Sequence, residues 1–301
     1  MKFLITGATG FIGSRLCDVL VASGHQVVAL SRNPDRARHI PAVDVFGWNP
    51  AEPPPVDAFR GVDAIVHLAG ENVSGRWTAA KKAEIERSRV LGTKRLVEAI
   101  GSLYRRPKVL ISASAVGYYG DRGDEVLHER SSPGDDFLSG VCRAWEDAAV
   151  AVEAHGVRCV RLRIGLVLGR HGGALGTLIP LFRSGMGGPL GRGHQWWSWI
   201  HIDDVAGVIE FVASRELSGP FNVTAPEPVR QREFASKLGR AVGRLAIFPA
   251  PVFALRLVLG EFATELLASR RVVPQAALDA GYTFRFPTLD AALDDLVTRY
   301  F

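Results

Sequence analysis

Gly7, Gly10 and Gly13 stand three residues apart in KFLITGATGFIGSR, directly after the apolar run Phe3, Leu4 and Ile5. A strand turning sharply into a helix needs residues without a Cβ. So does a backbone passing close to a pyrophosphate, and a helix packed on a strand with no side chain between them. The N–H groups at the helix start then face phosphate oxygens. The pattern therefore predicts a dinucleotide-binding loop, with Thr9, Phe11 and Ile12 set among the glycines. About 20 residues further on, a site for NAD would carry Asp or Glu to bind the ribose 2′-hydroxyl. This chain has Ser31 and Arg32 there, with Arg36 and Arg38 close behind. A carboxylate repels a 2′-phosphate, whereas a guanidinium binds it with two hydrogen bonds. NADP is expected over NAD, the alternative being that Arg32 is a surface loop arginine.

A second group of chemically capable residues lies in ISASAVGYYG. Small residues and hydroxyls at the carboxyl end of a central strand are where an open α/β sheet places its chemistry. Ser114 and Tyr119 are the candidates there. Ser114 would hold a reacting oxygen. Tyr119 would supply a proton or only shape the pocket, since nothing nearby in sequence lowers its pKa from about 10. Cys142 reads as a small buried helix residue, with no histidine near it in sequence. His201 reads as structural, and Asp203 and Asp204 as caps of the following helix.

The elements that would position these groups alternate strand and helix. Strands are expected at 3–5, Gln26–Leu30, Val43–Trp48, Ala64–Leu68, Val109–Ser112, Arg158–Val167 and Gly219–Thr224. Helices are expected at Phe11–Ser23, from Lys81 to Ile100, at Ser139–His155 and at Val205–Ser214. Short apolar strands in this alternation imply an α/β fold, a Rossmann-like doubly wound parallel sheet with right-handed crossovers. After Leu168 the pattern changes: eight glycines from Gly172 to Gly193 precede Trp196, Trp197 and Trp199. This stretch reads as a loop-rich substrate wall or as an aromatic packing cluster. From about Pro249 the chain reads as mostly helical. The expected division is a dinucleotide-binding domain over 1–168 plus about 200–225, and a substrate-side region over 169–199 and 226–301. The latter includes a small helical C-terminal domain at about 249–297.

The chain has 301 residues, 47% of them hydrophobic, enough for one large or two medium domains. No apolar run reaches the ~20 residues of a membrane span, and the N-terminus enters a strand directly, so neither membrane insertion nor a signal peptide is expected. Cys17, Cys142 and Cys159 are few and scattered, which argues for the reducing cytoplasm and against a disulfide framework or a metal site. The net charge of +5 comes from dispersed arginines, which argues against nucleic acid as a partner. A small-molecule substrate and a monomer or homodimer are expected.

TGATGFIG, HLAGEN, SASAVGYYG, and RIGLVLG followed by WIHIDDV resemble the extended short-chain dehydrogenase/reductases, the sugar-nucleotide epimerase group. GRWT, SRVLGT, GGPLGRGHQWWSWIHIDDV, PAPVFALRLVLGE and RVVPQAALDAGYTFRFPTL resemble an epimerase-like subgroup more closely, over essentially the whole chain. The resemblance implies NADP held by the glycine loop, by Ser31 and Arg32, by the turn at Leu68 and Ala69, and by Glu84 and Arg89 on the next helix. It places Val167 near the nicotinamide end. The larger family works with Ser or Thr plus Tyr-x-x-x-Lys on the following helix. Here Leu138 and Cys142 stand at the Tyr and Lys positions, and a one-residue slide gives Phe137 and Val141, so the dyad is absent. Two functions follow: an NADP(H)-binding epimerase-like oxidoreductase acting on a small polar molecule such as a nucleotide sugar, or a non-catalytic NADPH-binding sensor or scaffold.

Overall fold

The computed structural model describes residues 1–37, 39–42, 44–170 and 172–297, the side chain of Arg36 excepted. Seven parallel strands form the central sheet: β1 (Lys2–Thr6), β2 (Gln26–Ser31), β3 (Asp44–Gly47), β4 (Ala64–His67), β5 (Val109–Ala115), β6 (Arg158–Ile164) and β7 (Gly219–Val223). Their order is β7-β6-β5-β4-β1-β2-β3, with Leu4 facing Val28 on one side and Ile65 on the other. Most of these strands are near-continuous apolar runs because helices cover both faces of the sheet. Helices α1 (Phe11–Ala22) and α5 (Ile202–Ala213) pack over Phe3, Ile5, Val66, Ile111 and Leu162. Helices α2 (Ala79–Gly101) and α3 (Phe137–Val150) contribute Leu96, Ile100 and Ala149 to the other face, over Leu4, Ile65 and Leu110. Thr78 caps α2 by accepting from Lys81 N, and Asp136 caps α3 by accepting from Ser139 N. Gly24, at φ +79°, ends α1.

A third core joins α4 (Gly173–Arg183), α6 (Gln231–Ala241) and α10 (Leu289–Leu296) around Trp199, Phe182, Phe234 and Leu293. The helices α7 (Val252–Leu259), α8 (Phe262–Leu267) and α9 (Gln275–Asp279) complete the C-terminal part.

The structure departs from expectation at several elements. The third strand covers Asp44–Gly47, and Val43 lies outside the described residues. The sixth strand breaks at Gly165, where a Cβ would meet the Ser198 carbonyl. Beyond the break, Leu166–Gly169 leaves the sheet and pairs in parallel with Trp199–His201. The fifth strand runs on to Ala115, placing Ser114 inside it. The glycine-rich stretch is not all loop: it holds α4, whose Leu175 and Phe182 are buried despite Pro180. Helix α6 was not foreseen, although Phe234 and Leu238 show the i, i+4 spacing of a buried face. Among the described residues no helix is long and apolar enough to cross a membrane.

Candidate functional site

The strand order reverses direction at β1, with β2 on one side and β4 on the other, and ligands of open α/β sheets bind outside the carboxyl ends of strands at such a point. Gly7 leaves β1 at φ +71°, and Gly10 N donates to Gly7 O at 2.9 Å. A Cβ on Gly13 would run into the Gly7 carbonyl and the Ala8 backbone, so only glycine lets α1 approach the strand this closely. Helix α1 opens at Phe11 with no side chain capping it, which leaves its first turn ready for phosphate oxygens. Ile12 is half-buried against the core. The Phe11 ring fills a groove where a Cβ on Gly169, Gly172 or Gly173 would collide with it. Val167 lies on the same short strand as Gly169, buried opposite Ile200.

A cavity at this point is lined by Gly7, Thr9 and Gly10 from the loop, Ser31 and Arg32 from the end of β2, Leu68 and Ala69 after β4, and Glu84 from α2. Trp48, Asn49, Pro50 and Ala51 form its outer wall, which the sequence reading did not assign. Ser31 is held by reciprocal bonds with Asn33: its hydroxyl donates to Asn33 O at 3.0 Å and accepts from Asn33 N at 3.2 Å. The two carboxylates of the cavity are paired, Glu84 with Arg87 and Glu71 with Lys81 at 2.7 Å. The Lys81 ammonium holds the Glu71 carboxyl below its ordinary range, aided by Arg32 and Arg89. Arg89 sits behind the cavity wall. It donates to Glu71 O at 2.9 Å and Ile85 O at 3.2 Å, lies 5.1 Å from the Trp145 ring centroid, and packs where a Cβ on Gly70 would stand. Burial lowers its pKa.

Beneath the Leu68–Ala69 turn lies a buried polar chain that the sequence reading missed. Leu68 N and Ala69 N both donate to Thr6 Oγ1 at 3.2 Å, and the Thr6 hydroxyl meets His67 Nδ1 at 2.7 Å. His67 Nε2 meets Thr93 Oγ1 at 3.0 Å, and that hydroxyl donates to Arg89 O at 2.6 Å. With its proton committed to Arg89 O, Thr93 accepts from Nε2–H, and Thr6 donates to the Nδ1 lone pair. The imidazole is therefore neutral and of one tautomer. Burial pushes its pKa down to about 4, with Arg89 acting in the same sense. The available signal was a histidine in the otherwise apolar strand AIVHL, since a buried polar group requires partners.

Ser114 and Tyr119 belong to a second buried network. The Ser114 hydroxyl donates to Glu146 Oε1 at 2.7 Å. Arg163 clamps that carboxylate through Nε at 2.8 Å and Nη2 at 2.9 Å, and donates from Nη1 to Tyr119 Oη at 3.0 Å. The Tyr119 hydroxyl in turn donates to Asn222 Oδ1 at 2.7 Å. Tyr119 is 0% exposed, and burial pushes its pKa up to about 12. The Tyr119 hydroxyl is thus bonded on both sides and closed to solvent. Cys142 is buried beside Ser114, and burial raises its thiol to about 11. Arg163 and Glu146 escaped notice because neither has its partner nearby in the chain. A charge within the apolar strand RCVRLRI was the clue.

The tryptophans resolve as packing. Trp199 is fully buried, Trp197 meets Phe234 edge-on at 5.1 Å, and Trp196 lies under Arg230 and Arg271 with its Nε1 donating to Asp124. His201 is structural. It is the N-cap of α5, accepting from Asp203 N at Nδ1, and stacks 3.8 Å from Phe286. Asp203 and Asp204 are thus not caps but first-turn residues. Asp203 pairs with Arg15 at 2.6 Å, and Asp204 receives Arg285 N at 2.8 Å and Phe286 N at 2.9 Å.

A seven-stranded parallel sheet with a glycine loop at its switch point defines a Rossmann-like NAD(P)-binding protein. The chain belongs to the NAD-dependent epimerase/dehydratase family, whose model matches residues 3–224, and residues 250–296 match a domain of unknown function, DUF1731. It is 42% identical over 298 residues to an epimerase family protein SDR39U1 homolog, chloroplastic, from Arabidopsis thaliana, covering 97% of this chain and 86% of that one. The crystal structure of human epimerase family protein SDR39U1 (isoform 2) with NADPH superposes with a TM-score of 0.88 at 35% identity, covering both chains fully. A nucleoside-diphosphate sugar epimerase from Corynebacterium glutamicum gives a TM-score of 0.81 at 37% identity. All of this chain is covered, and it spans 58% of that protein's length.

Proposed function

We propose that the chain is an NADP(H)-dependent oxidoreductase of the epimerase type. The observation that carries this reading is Arg32 beside Ser31 at the end of β2, lining the same cavity as Gly7 and Gly10, where a carboxylate would select NAD. The human relative's NADPH complex supports the choice. Glu71 and Glu84 do not oppose it, because Lys81 and Arg87 neutralise them. In this reading the first-turn N–H groups of α1 hold the pyrophosphate, and Arg32 and Ser31 hold the 2′-phosphate. The Leu68–Ala69 turn, Glu84 and Arg89 flank the adenosine side, and Phe11 and Val167 close the inner end. The bound nicotinamide supplies or accepts a hydride. Ser114, aimed by Glu146, holds the reacting substrate oxygen, while Tyr119 braces β5 against β6 and β7. The buried thiols of Cys17, Cys142 and Cys159 suit a reducing compartment such as the cytoplasm.

Leu138 and Cys142 in place of the Tyr/Lys dyad favour a second reading, an NADPH-binding sensor without turnover. No group at those two positions exchanges a proton near neutrality.

Titration of the purified protein with NADPH and NADH, comparing wild type with Arg32→Glu, tests the first reading. A preference for NADPH of about 10-fold or more that the substitution abolishes is expected. Equal binding of both cofactors, or no effect of the substitution, overturns it. Consumption of NADPH with any substrate then separates the enzyme from the sensor.

A further inference from the structure

Leu245, Ile247, Phe248, Phe253, Leu257 and Val258 are all more than half exposed, and all come from one short stretch, the α6–α7 loop and α7 itself. Phe253 and Leu257 stand one turn apart on the outer side of α7, a helix with no buried residue. The loop at 185–191 runs alongside. Ala250 N donates to Pro189 O at 2.8 Å, Gly191 N donates to Ala250 O at 2.9 Å, and a Cβ on Gly188 would strike the Phe248 carbonyl. This second loop adds the exposed Met186. Two phenylalanines of about 150–250 Å² each, standing 61% and 74% exposed beside five further large apolar side chains, exceed the few hundred Å² that a monomer ordinarily leaves bare.

The unpaired charges around this surface are of one sign. Arg244 and Arg256 lie within the stretch. Arg192 follows Gly191, where a Cβ would touch Val252, and Arg76 donates to Leu257 O at 3.4 Å. All four arginines are exposed, and none forms an ion pair among the described residues. The segments 154–202 and 234–260, from which the two loops and α7 come, contain no Asp or Glu. Glu261, just past α7, is already paired with Lys82. Such a surface opposes a second copy of the chain, because a two-fold contact would bring the arginines of both copies together with no acid to receive them.

Residues 245–260 include no Ser, Thr, Asn, Gln, Tyr, Asp or Glu, and Arg256 is their one polar side chain. A protein partner is held in register by about one hydrogen bond per 100–200 Å² of interface, and this stretch has no uncharged polar side chain to make them. A bilayer needs no such register. Phenylalanine and leucine enter the acyl boundary, while arginine stems lie along apolar surface and carry the guanidinium out to the headgroups. Anionic lipid supplies the charges that these arginines lack.

From these observations we infer that the α6–α7 loop and α7 form a peripheral docking surface for an anionic phospholipid bilayer. The apolar side chains enter the lipid interface, and Arg76, Arg192, Arg244 and Arg256 meet the headgroup phosphates. The contact lies on the membrane without crossing it. It is independent of the cofactor reading.

Flotation of the full chain tests this, with vesicles of phosphatidylcholine alone and of two parts phosphatidylcholine to one part phosphatidylglycerol. Affinity for the mixed vesicles is expected to exceed that for the neutral ones by about tenfold or more and to fall as salt is raised. Phe253→Ser with Leu257→Ser should weaken it by about tenfold or more, and so should Arg244→Gln with Arg256→Gln. Thermal unfolding midpoints matching wild type show that both variants are folded. No binding to the mixed vesicles, equal binding to the two kinds, or undiminished binding by the Phe253/Leu257 variant overturns the inference. So does a dimer in analytical ultracentrifugation that the same double substitution dissociates, which would assign the face to a second copy.

Discussion

His67 shows what a single buried side chain does to the wall of the cavity at the switch point. Its neutral imidazole orients Thr6, and Thr6 receives the Leu68 and Ala69 N–H groups that shape the turn. Because its pKa is lowered from 6.5 to about 4, the unfolded chain binds a proton that the folded chain refuses as pH falls. Stability from this group is complete above about pH 6.5 and is lost progressively down to about pH 4, by roughly 3 kcal/mol. His201, also lowered by burial, acts in the same direction. Urea unfolding at pH 7.5 and 5.0 should therefore show a smaller pH-dependent loss for His67→Gln than for wild type. Identical slopes would mean that His67 does not titrate in this way. The glycine spacing announced the loop, but nothing local in AIVHL announced the partners of this histidine, which lie 61 and 26 residues away.

At the scale of elements, the contact between β1 and α1 decides whether the loop can exist. Gly13 faces the Gly7 carbonyl, so a methyl group there must push the helix off the strand. Gly13→Ala is expected to cost about 3 kcal/mol through overpacking and to abolish cofactor binding. Thermal unfolding followed by NADPH titration measures both. A variant as stable as wild type with intact binding would show that α1 accommodates the methyl. The glycine spacing made this contact legible, because it depends on residues six apart. The break of the sixth strand at Gly165 was not legible, since beyond it Leu166 N donates to the Ser198 carbonyl, which arrives from another part of the chain. Helix α4 was obscured by Gly173, Gly176 and Pro180, which local propensity penalises but the third core overrides.

Across the whole molecule, Asp204 ties the C-terminal segment to the sheet domain. Its carboxylate is 1% exposed and accepts from Arg285 N, Phe286 N and the Tyr282 hydroxyl. Removing it strands two backbone donors beside a buried helix turn. Asp204→Ala is expected to cost roughly 3 kcal/mol and to open the chain to trypsin at Arg285 well before global unfolding. Asp204→Asn, which keeps one acceptor oxygen, should lose less. Unchanged trypsin resistance in the alanine variant would show that the third core alone holds this region. The same segment carries Val273 and Ala276, which bond Asn222 and Glu129 next to Tyr119, so the C-terminal part also braces the network behind Ser114.

By itself the sequence determined the doubly wound sheet, the glycine loop and the residues at the end of β2. Each is written in short-range signals, as apolar runs, glycine spacing and a charge at one turn. Only the tertiary structure decided how the polar groups are used. The Tyr119 hydroxyl is locked because Asn222, 103 residues on, accepts from it, and the Ser114 hydroxyl is held by a glutamate 32 residues on. The tryptophans became packing because α6, unseen in the pattern, supplied Phe234. A buried polar or aromatic group takes its role from whatever partner satisfies it, and in a parallel sheet with long crossovers that partner comes from a distant stretch of chain.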